Sequence, residues 1–147
     1  MKATCLFLII LFCALYLLLP NVPAQDYIKW SLPDGATMRL GKGSIGNIAF
    51  SPNGTRLAVG SAIGIWIYDV RPGKAKELDF IAGHTQSILS IAYSPDASTI
   101  AASSSNDGTV NLWNAVTGER QTTLQGHTNA IYSLAYSPDG KTLATGS

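Results

Sequence analysis

A chain of 147 residues has room for one ordinary domain, and ten basic residues against nine acidic ones leave a formal net charge of +1. That balance excludes the basic field that holds nucleic acid and the acidic tail of a solvating segment. The aromatic residues do not alternate with Arg or Lys, as they would in a groove that binds single-stranded nucleic acid.

Residues 1–24 are predicted to form the helix of a secretory signal peptide. Lys2 gives a positive start, residues 5–19 form an unbroken apolar run, and small residues precede and include Ala24. We expect cleavage after Ala24 and a secreted or periplasmic location. The apolar run is shorter than the roughly 20 residues of a membrane span, and an uncleaved N-terminal membrane anchor is the alternative.

The exported part is expected to hold no disulfide, metal or cofactor. Both cysteines, Cys5 and Cys13, lie in the signal segment, so packing must stabilise the rest. The two histidines are 43 residues apart, so the sequence predicts no shared metal site. No glycine-rich phosphate motif lies between a strand and a helix.

Two sequence motifs recur at intervals of 43 residues. The turn Ser51-Pro52-Asn53-Gly54 returns at residues 94–97 and 137–140, and Gly83-His84 returns as Gly126-His127. A fixed period in the low forties predicts stacked supersecondary units rather than a domain with a single core.

The first unit in the chain is incomplete. Residues 28–35 align with 111–118, so residues 25–43 are predicted to supply the outer two strands of a unit whose first two strands are not beside them in sequence. Residues 44–82 form the first full unit. Its predicted strands are 45–50, 56–59, 64–68 and 77–81.

Residues 83–125 form the second full unit, and residues 126–147 supply the first two strands of a third. In the second unit Asn106-Asp107-Gly108 is a hairpin signal, because these residues tolerate positive φ. The strand at 88–93 is apolar or small on both faces, which predicts a sheet covered on both sides. The predicted strands of this unit are 88–93, 99–103, 109–113 and 121–124.

The repeated sequence motifs resemble those of the WD-repeat β-propellers. They are Gly83-His84 and Gly126-His127, IAYSPD and LAYSPDG, NDGTVNLWN and LATGS. The resemblance implies an all-β fold of propeller blades, each a four-stranded antiparallel meander, in a partial ring. Residues 25–43 would then be the outer strands of the ring-closing blade, 44–82 blade 1, 83–125 blade 2, and 126–147 the first half of blade 3.

The resemblance also implies a buried hydrogen-bond relay within each blade, which links outer strands to inner ones. A buried imidazole and a buried carboxylate both need partners, and such a relay supplies them. Ser104 is a rival for the hydroxyl position, and Thr145 is the candidate hydroxyl beside the histidine of blade 3. The predicted members are His84, Ser103, Asp107, Trp113 and His127.

The same residue types could form a hydrolytic triad of His84, Ser103 and Asp107. The structural interpretation is favoured, because the histidine recurs at the repeat period and a catalyst is not needed once per blade. We therefore expect no catalytic residue and no enzyme activity in this chain.

The repeats, the absence of a catalytic constellation and the signal peptide together predict a non-catalytic scaffold for protein–protein interaction outside the cytoplasm, and the charge balance predicts no nucleic-acid partner. The alternative is a fragment of a propeller-containing hydrolase or its accessory domain, with catalytic residues outside this chain. Tyr132 is the best anchor for a partner, although Tyr132 and Leu89 could instead be packing residues between blades. The residues predicted on the partner-binding face are Ser87, Leu89, Asn106, Ala130 and Tyr132.

Two full blades and two half blades do not close a propeller. We expect an incomplete reading frame or a gene fragment, with self-association of short chains into a ring as the alternative. Either further blades or other copies would be needed to cover the open strand edges.

Overall fold

A computed structural model of the chain describes residues 40, 42–84, 86–105 and 108–147. These residues form ten strands. The strands are β1 (Ile45–Phe50), β2 (Arg56–Ser61), β3 (Ile65–Asp69), β4 (Lys76–Ile81), β5 (Ile88–Tyr93), β6 (Thr99–Ser104), β7 (Thr109–Asn114), β8 (Arg120–Gln125), β9 (Ser133–Tyr136) and β10 (Leu143–Gly146).

The strands form three separate antiparallel sheets, each with its neighbours in chain order. Two sheets have four strands, in the orders β1-β2-β3-β4 and β5-β6-β7-β8, and β9 pairs with β10 in a third sheet. The prediction of an all-β fold built from four-stranded antiparallel meanders is confirmed. The predicted signal peptide and the outer strands predicted within residues 25–39 lie outside the described residues.

In the part of the chain that the structure describes, no helix has the length and apolar character needed to cross a membrane.

The turn between the first two strands of each sheet is built the same way three times. Ser94 Oγ donates to the Asp96 carboxylate and accepts from the Thr99 amide, which closes a loop that a backbone bond from Ala97 to Ser94 also spans. Ser51 and Ser137 repeat this arrangement in the other two sheets. The Ser-Pro-Asx sequence therefore sets the hairpin locally, before any packing between sheets.

The sheets pack face to face, and the apolar core lies between them. Between the first and second sheets, Ile65 and Ile67 pack with Ile91, Ile100 and Trp113. Between the second sheet and β9–β10, Val110 and Ala101 pack with Ile131 and Leu134, with further partly buried neighbours. The other face of the first sheet carries a cluster of Leu57, Val59, Trp66 and Tyr68.

Burial differs between the strands of the four-stranded sheets. All five residues of β3 are buried, whereas every residue of β8 is exposed. Cover on both faces therefore holds for β5 and for the second and third strands of each four-stranded sheet, whereas most residues of β1 and of the fourth strands are exposed.

The last residue of β3 and the last residue of β7 each cap the following turn. Asp69 Oδ1 accepts from the Arg71 amide at 3.0 Å, and Asn114 Oδ1 accepts from the Val116 amide at 2.8 Å. Both positions need a side-chain acceptor, which Asp and Asn supply equally. Hydrogen bonds from the Arg71 side chain hold the pKa of the buried Asp69 carboxyl well below its usual range.

Candidate functional site

The side chain of His84 lies in a polar network beside the third strand of the second sheet. Its ring meets the Trp113 indole edge-on, with centroids 5.0 Å apart. The Asn111 amide nitrogen lies 3.3 Å from Nδ1 of His84, and Asn111 Oδ1 accepts from the Thr123 hydroxyl. His84 and Trp113 are 9% and 1% exposed, so the network is interior.

This network ties the segment before β5 to β7 and β8. Asn111 and Thr123 were absent from the predicted relay. The signal for Asn111 was present, since it is an amide inside a strand, between the apolar residues Val110 and Leu112. A buried amide of this kind requires hydrogen-bond partners. Asp107, the predicted acidic member, lies outside the described residues.

Ser103 points away from this network. Its hydroxyl donates to the backbone carbonyl of Ile131 at 2.8 Å, so it links the second sheet to the segment before β9. Side chains alternate between the faces of a strand, and Ser103 shares its face with its pairing partner Val110, not with Trp113. The structure therefore differs from the predicted relay at this position.

The strand register shows where the relay hydroxyl belongs. In the third sheet, His127 Nε2 lies 2.7 Å from Thr145 Oγ1, and Thr145 pairs with Leu134. In the second sheet, the equivalent of Leu134 is Ile91, which pairs with Ala102. The second sheet thus has a methyl group where the third has a hydroxyl.

Ser104, the rival for the hydroxyl position, is fully buried, and its hydroxyl has no hydrogen-bond partner among the described residues.

The candidate partner-binding face lies at the end of the sheets where the inner strands begin. β1 and β5 each contain a bulge there, at Gly46 and Leu89, and Tyr132 holds the equivalent position just before β9. Gly46 passes so close to the next sheet that a Cβ would lie 1.9 Å from the Ile88 carbonyl oxygen. A bulge re-aims the side chain it carries.

These equivalent positions differ in exposure. Tyr132 is 69% exposed, and its backbone amide donates to Gly146 at 2.8 Å, so its base is fixed while its ring is free to contact a partner. Leu89 and Ala130 are partly buried, and Ser87 is exposed. Asn106 lies outside the described residues.

A groove of about 750 Å³ lies between the second sheet and the β9–β10 hairpin. Its carboxylates are engaged by their own turns: hydrogen bonds from Ser94 and Ser98 lower the pKa of Asp96 to about 2, and Ser137 lowers the pKa of Asp139. Burial, followed by the charge of Asp96, raises the pKa of the Tyr136 phenol in the same groove. Such carboxylates remain ionised at neutral pH, which suits a turn and not a general acid.

Within the described ranges, no three His, Cys, Asp or Glu side chains come together as a set that could hold a metal ion.

Comparison with known families agrees with the repeat. The family model described as "WD domain, G-beta repeat" matches residues 75–114 and 118–147. No curated protein matches the chain in sequence.

Proposed function

Because the chain belongs to the WD-repeat family, we propose that it is a non-catalytic propeller scaffold that binds a protein partner outside the cytoplasm. WD repeats indicate a protein-interaction scaffold. We also propose that the protein lies outside the cytoplasm and that it catalyses no reaction.

The observation that carries the binding proposal is the exposed ring of Tyr132 on a fixed backbone. An aromatic side chain with few rotatable bonds loses little conformational entropy on binding, and such residues are enriched among interface anchors. Ser87 and Leu89 lie at the same end of the neighbouring sheet, where β5 begins.

The test compares two variants in a pull-down followed by an affinity measurement. We expect Tyr132→Ala to weaken binding of the captured protein by about 30-fold, which corresponds to an anchor of about 2 kcal/mol. The matched control is Val116→Ala. Val116 is 71% exposed and lies in the turn after β7, at the opposite end of the sheet. Equal affinity of the Tyr132→Ala variant and the unchanged chain would contradict this assignment.

The lack of catalysis is supported by the contacts that the polar side chains make. Asp96 and Asp139 serve their turns, and His84 is packed against Trp113 in the interior. None of the three is poised toward a substrate in the groove.

The export proposal is supported by residues 1–24, with their positive start, apolar run and small residues before position 25. Sequencing of the N-terminus of the protein recovered from outside the cytoplasm is expected to begin at Gln25. Recovery of the intact chain in the membrane fraction would favour an uncleaved anchor.

A further inference from the structure

The turn between β1 and β2 carries an asparagine that is followed by a glycine. Asn53 is the one asparagine in the sequence that glycine follows. Asn53 and Gly54 are both exposed, and a Cβ built at Gly54 would meet no other atom within 4 Å. Because glycine has no Cβ, other groups can approach its backbone closely. No side chain at position 54 therefore hinders an approach of the Gly54 nitrogen to the Asn53 carboxamide, and water reaches both residues.

The other two turns of this kind have aspartate where the first has asparagine, namely Asp96 and Asp139. Asn53 Oδ1 accepts from the Ser51 hydroxyl at 2.8 Å and from the Thr55 amide at 3.1 Å. Asp96 and Asp139 each accept the equivalent two hydrogen bonds in their own turns. A carboxylate in the first turn would thus find the same donors, and hydrogen bonds to an ionised acceptor are stronger than those to a neutral amide.

The closed turn keeps the Gly54 nitrogen and the Asn53 carboxamide from reacting. The Gly54 N–H donates to the Ser51 carbonyl at 2.8 Å. The Asn53 oxygen is held by the hydroxyl and the amide of Thr55 as well as by the Ser51 hydroxyl. An attack on Asn53 Cγ requires the nitrogen to lose its proton and the carboxamide to rotate. Both sets of hydrogen bonds must break first, so the reaction requires a local opening of the turn.

We propose that Asn53 is a site of spontaneous deamidation, which proceeds when its turn opens and whose aspartate product closes the turn again. The Gly54 nitrogen gives its proton to solvent and attacks Asn53 Cγ, and the side-chain nitrogen leaves as ammonia. One water molecule then opens the cyclic imide. The net reaction converts an amide and water into a carboxylic acid and ammonia, with no oxidation or reduction.

The two ways of opening the imide differ in their effect on the fold. Attack of water at the side-chain carbonyl gives aspartate, which can accept from Ser51 and Thr55 as Asn53 does. Attack at the main-chain carbonyl gives isoaspartate, whose backbone is one atom longer and changes the spacing between the Ser51 carbonyl and the Gly54 amide. Only aspartate therefore restores the turn. The proposal goes beyond the proposed function, because it concerns a covalent change in the protein and no binding partner.

The first experiment follows deamidation of the purified full chain by mass spectrometry of its proteolytic peptides, in native buffer and in urea. Asn129 is the internal control, because it is also exposed but is followed by Ala130. In urea we expect Asn53 to deamidate faster than Asn129, and faster than Asn53 does in the folded chain. A rate at Asn53 no higher than that at Asn129 in urea would remove the site, and equal rates with and without urea would show that the turn does not protect it.

The second experiment separates local opening of the turn from unfolding of the whole chain. Ser51→Ala removes a hydroxyl that holds the Asn53 carboxamide, and we expect deamidation in native buffer to accelerate about fivefold, the factor for one hydrogen bond. The matched control is Ser94→Ala, the same change at a buried serine in the turn of the second sheet, which is expected to leave the rate at Asn53 unchanged. A circular dichroism spectrum establishes that both variants are folded. Equal acceleration by both variants, or by neither, would overturn the local mechanism.

The third experiment tests the product with Asn53→Asp, which carries the proposed aspartate from the start. This variant is expected to keep the circular dichroism spectrum of the unchanged chain and to have a higher Tm at neutral pH, because its carboxylate accepts charge-assisted hydrogen bonds. A lower Tm for Asn53→Asp would overturn the statement that aspartate restores the turn.

Discussion

Replacement of Ala97 by glycine is expected to stabilise the protein. Ala97 has a φ of 60°, in the left-handed region, because the turn after β5 needs this conformation to bring its amide 2.9 Å from the Ser94 carbonyl. The same place in the other two turns is held by Gly54 and Gly140, with φ of 67° and 69°. The alanine is thus the exception among three copies of one turn.

The magnitude follows from two opposing terms. A left-handed conformation costs a residue with a Cβ roughly 1–2 kcal/mol, and glycine does not bear this cost. Glycine also gives the unfolded chain more freedom, which offsets about 0.4–1 kcal/mol of the gain. We expect a net increase of about 0.5–1 kcal/mol in the free energy of unfolding, or a rise of about 2–5 °C in Tm.

Thermal unfolding followed by circular dichroism measures this change. The matched control is Gly54→Ala, because a Cβ at Gly54 would meet no atom within 4 Å and would change only the backbone preference. That variant is expected to lose about as much stability as Ala97→Gly gains. A lower Tm for Ala97→Gly, or an unchanged Tm for Gly54→Ala, would refute the conformational argument.

Three further changes test other parts of the structure. His84→Ala removes the ring beside Trp113 and the contact of the Asn111 amide, and a loss of about 1–3 kcal/mol is expected in urea unfolding; an unchanged midpoint would contradict the interior network. Gly46→Ala places a Cβ against the next sheet and is expected to cost about 1–3 kcal/mol or more, measured in the same way; a neutral effect would mean that the two sheets lie farther apart. The pKa of Asp96 is lowered from 3.8 to about 2, so its ionised form stabilises the fold above about pH 4, and this contribution is lost as the pH falls toward 2. Asp96→Asn is therefore expected to flatten the acid limb of a stability profile recorded from pH 2 to 6, and identical limbs would count against it.

The repeat and the turns could be read from the chain alone. The 43-residue period, the Ser-Pro-Asx turns and the strands apolar on both faces predict stacked antiparallel sheets, and the family match agrees with them. Strand positions were also close: β5 runs over Ile88–Tyr93 as predicted, and β2 extends two residues past its predicted end to Ser61. These features depend on local backbone preferences and on side-chain periodicity, which are determined by residues that follow one another in the sequence.

The relay was harder to predict because it depends on register. A shift of one residue moves a side chain to the opposite face of its strand, so Ser103 and Ala102 exchange roles although they are neighbours in sequence. Strand pairing places Ala102, not Ser103, opposite Ile91, and thereby turns the Ser103 hydroxyl toward Ile131. Asn111 belongs to the network for the same reason, because strand register decides which face its side chain lies on.

The sequence by itself determined that this protein is built of copies of one antiparallel unit, since period, turn chemistry and two-sided apolar strands all follow from local order along the chain. Only the tertiary structure decided which faces of the sheets meet: on the two inner strands large side chains meet small ones at both junctions, and Ile48 and Phe50 of β1 are left exposed. The physical reason is that packing between sheets joins residues that are distant in sequence, and their complementarity appears only when register and stacking place them in contact.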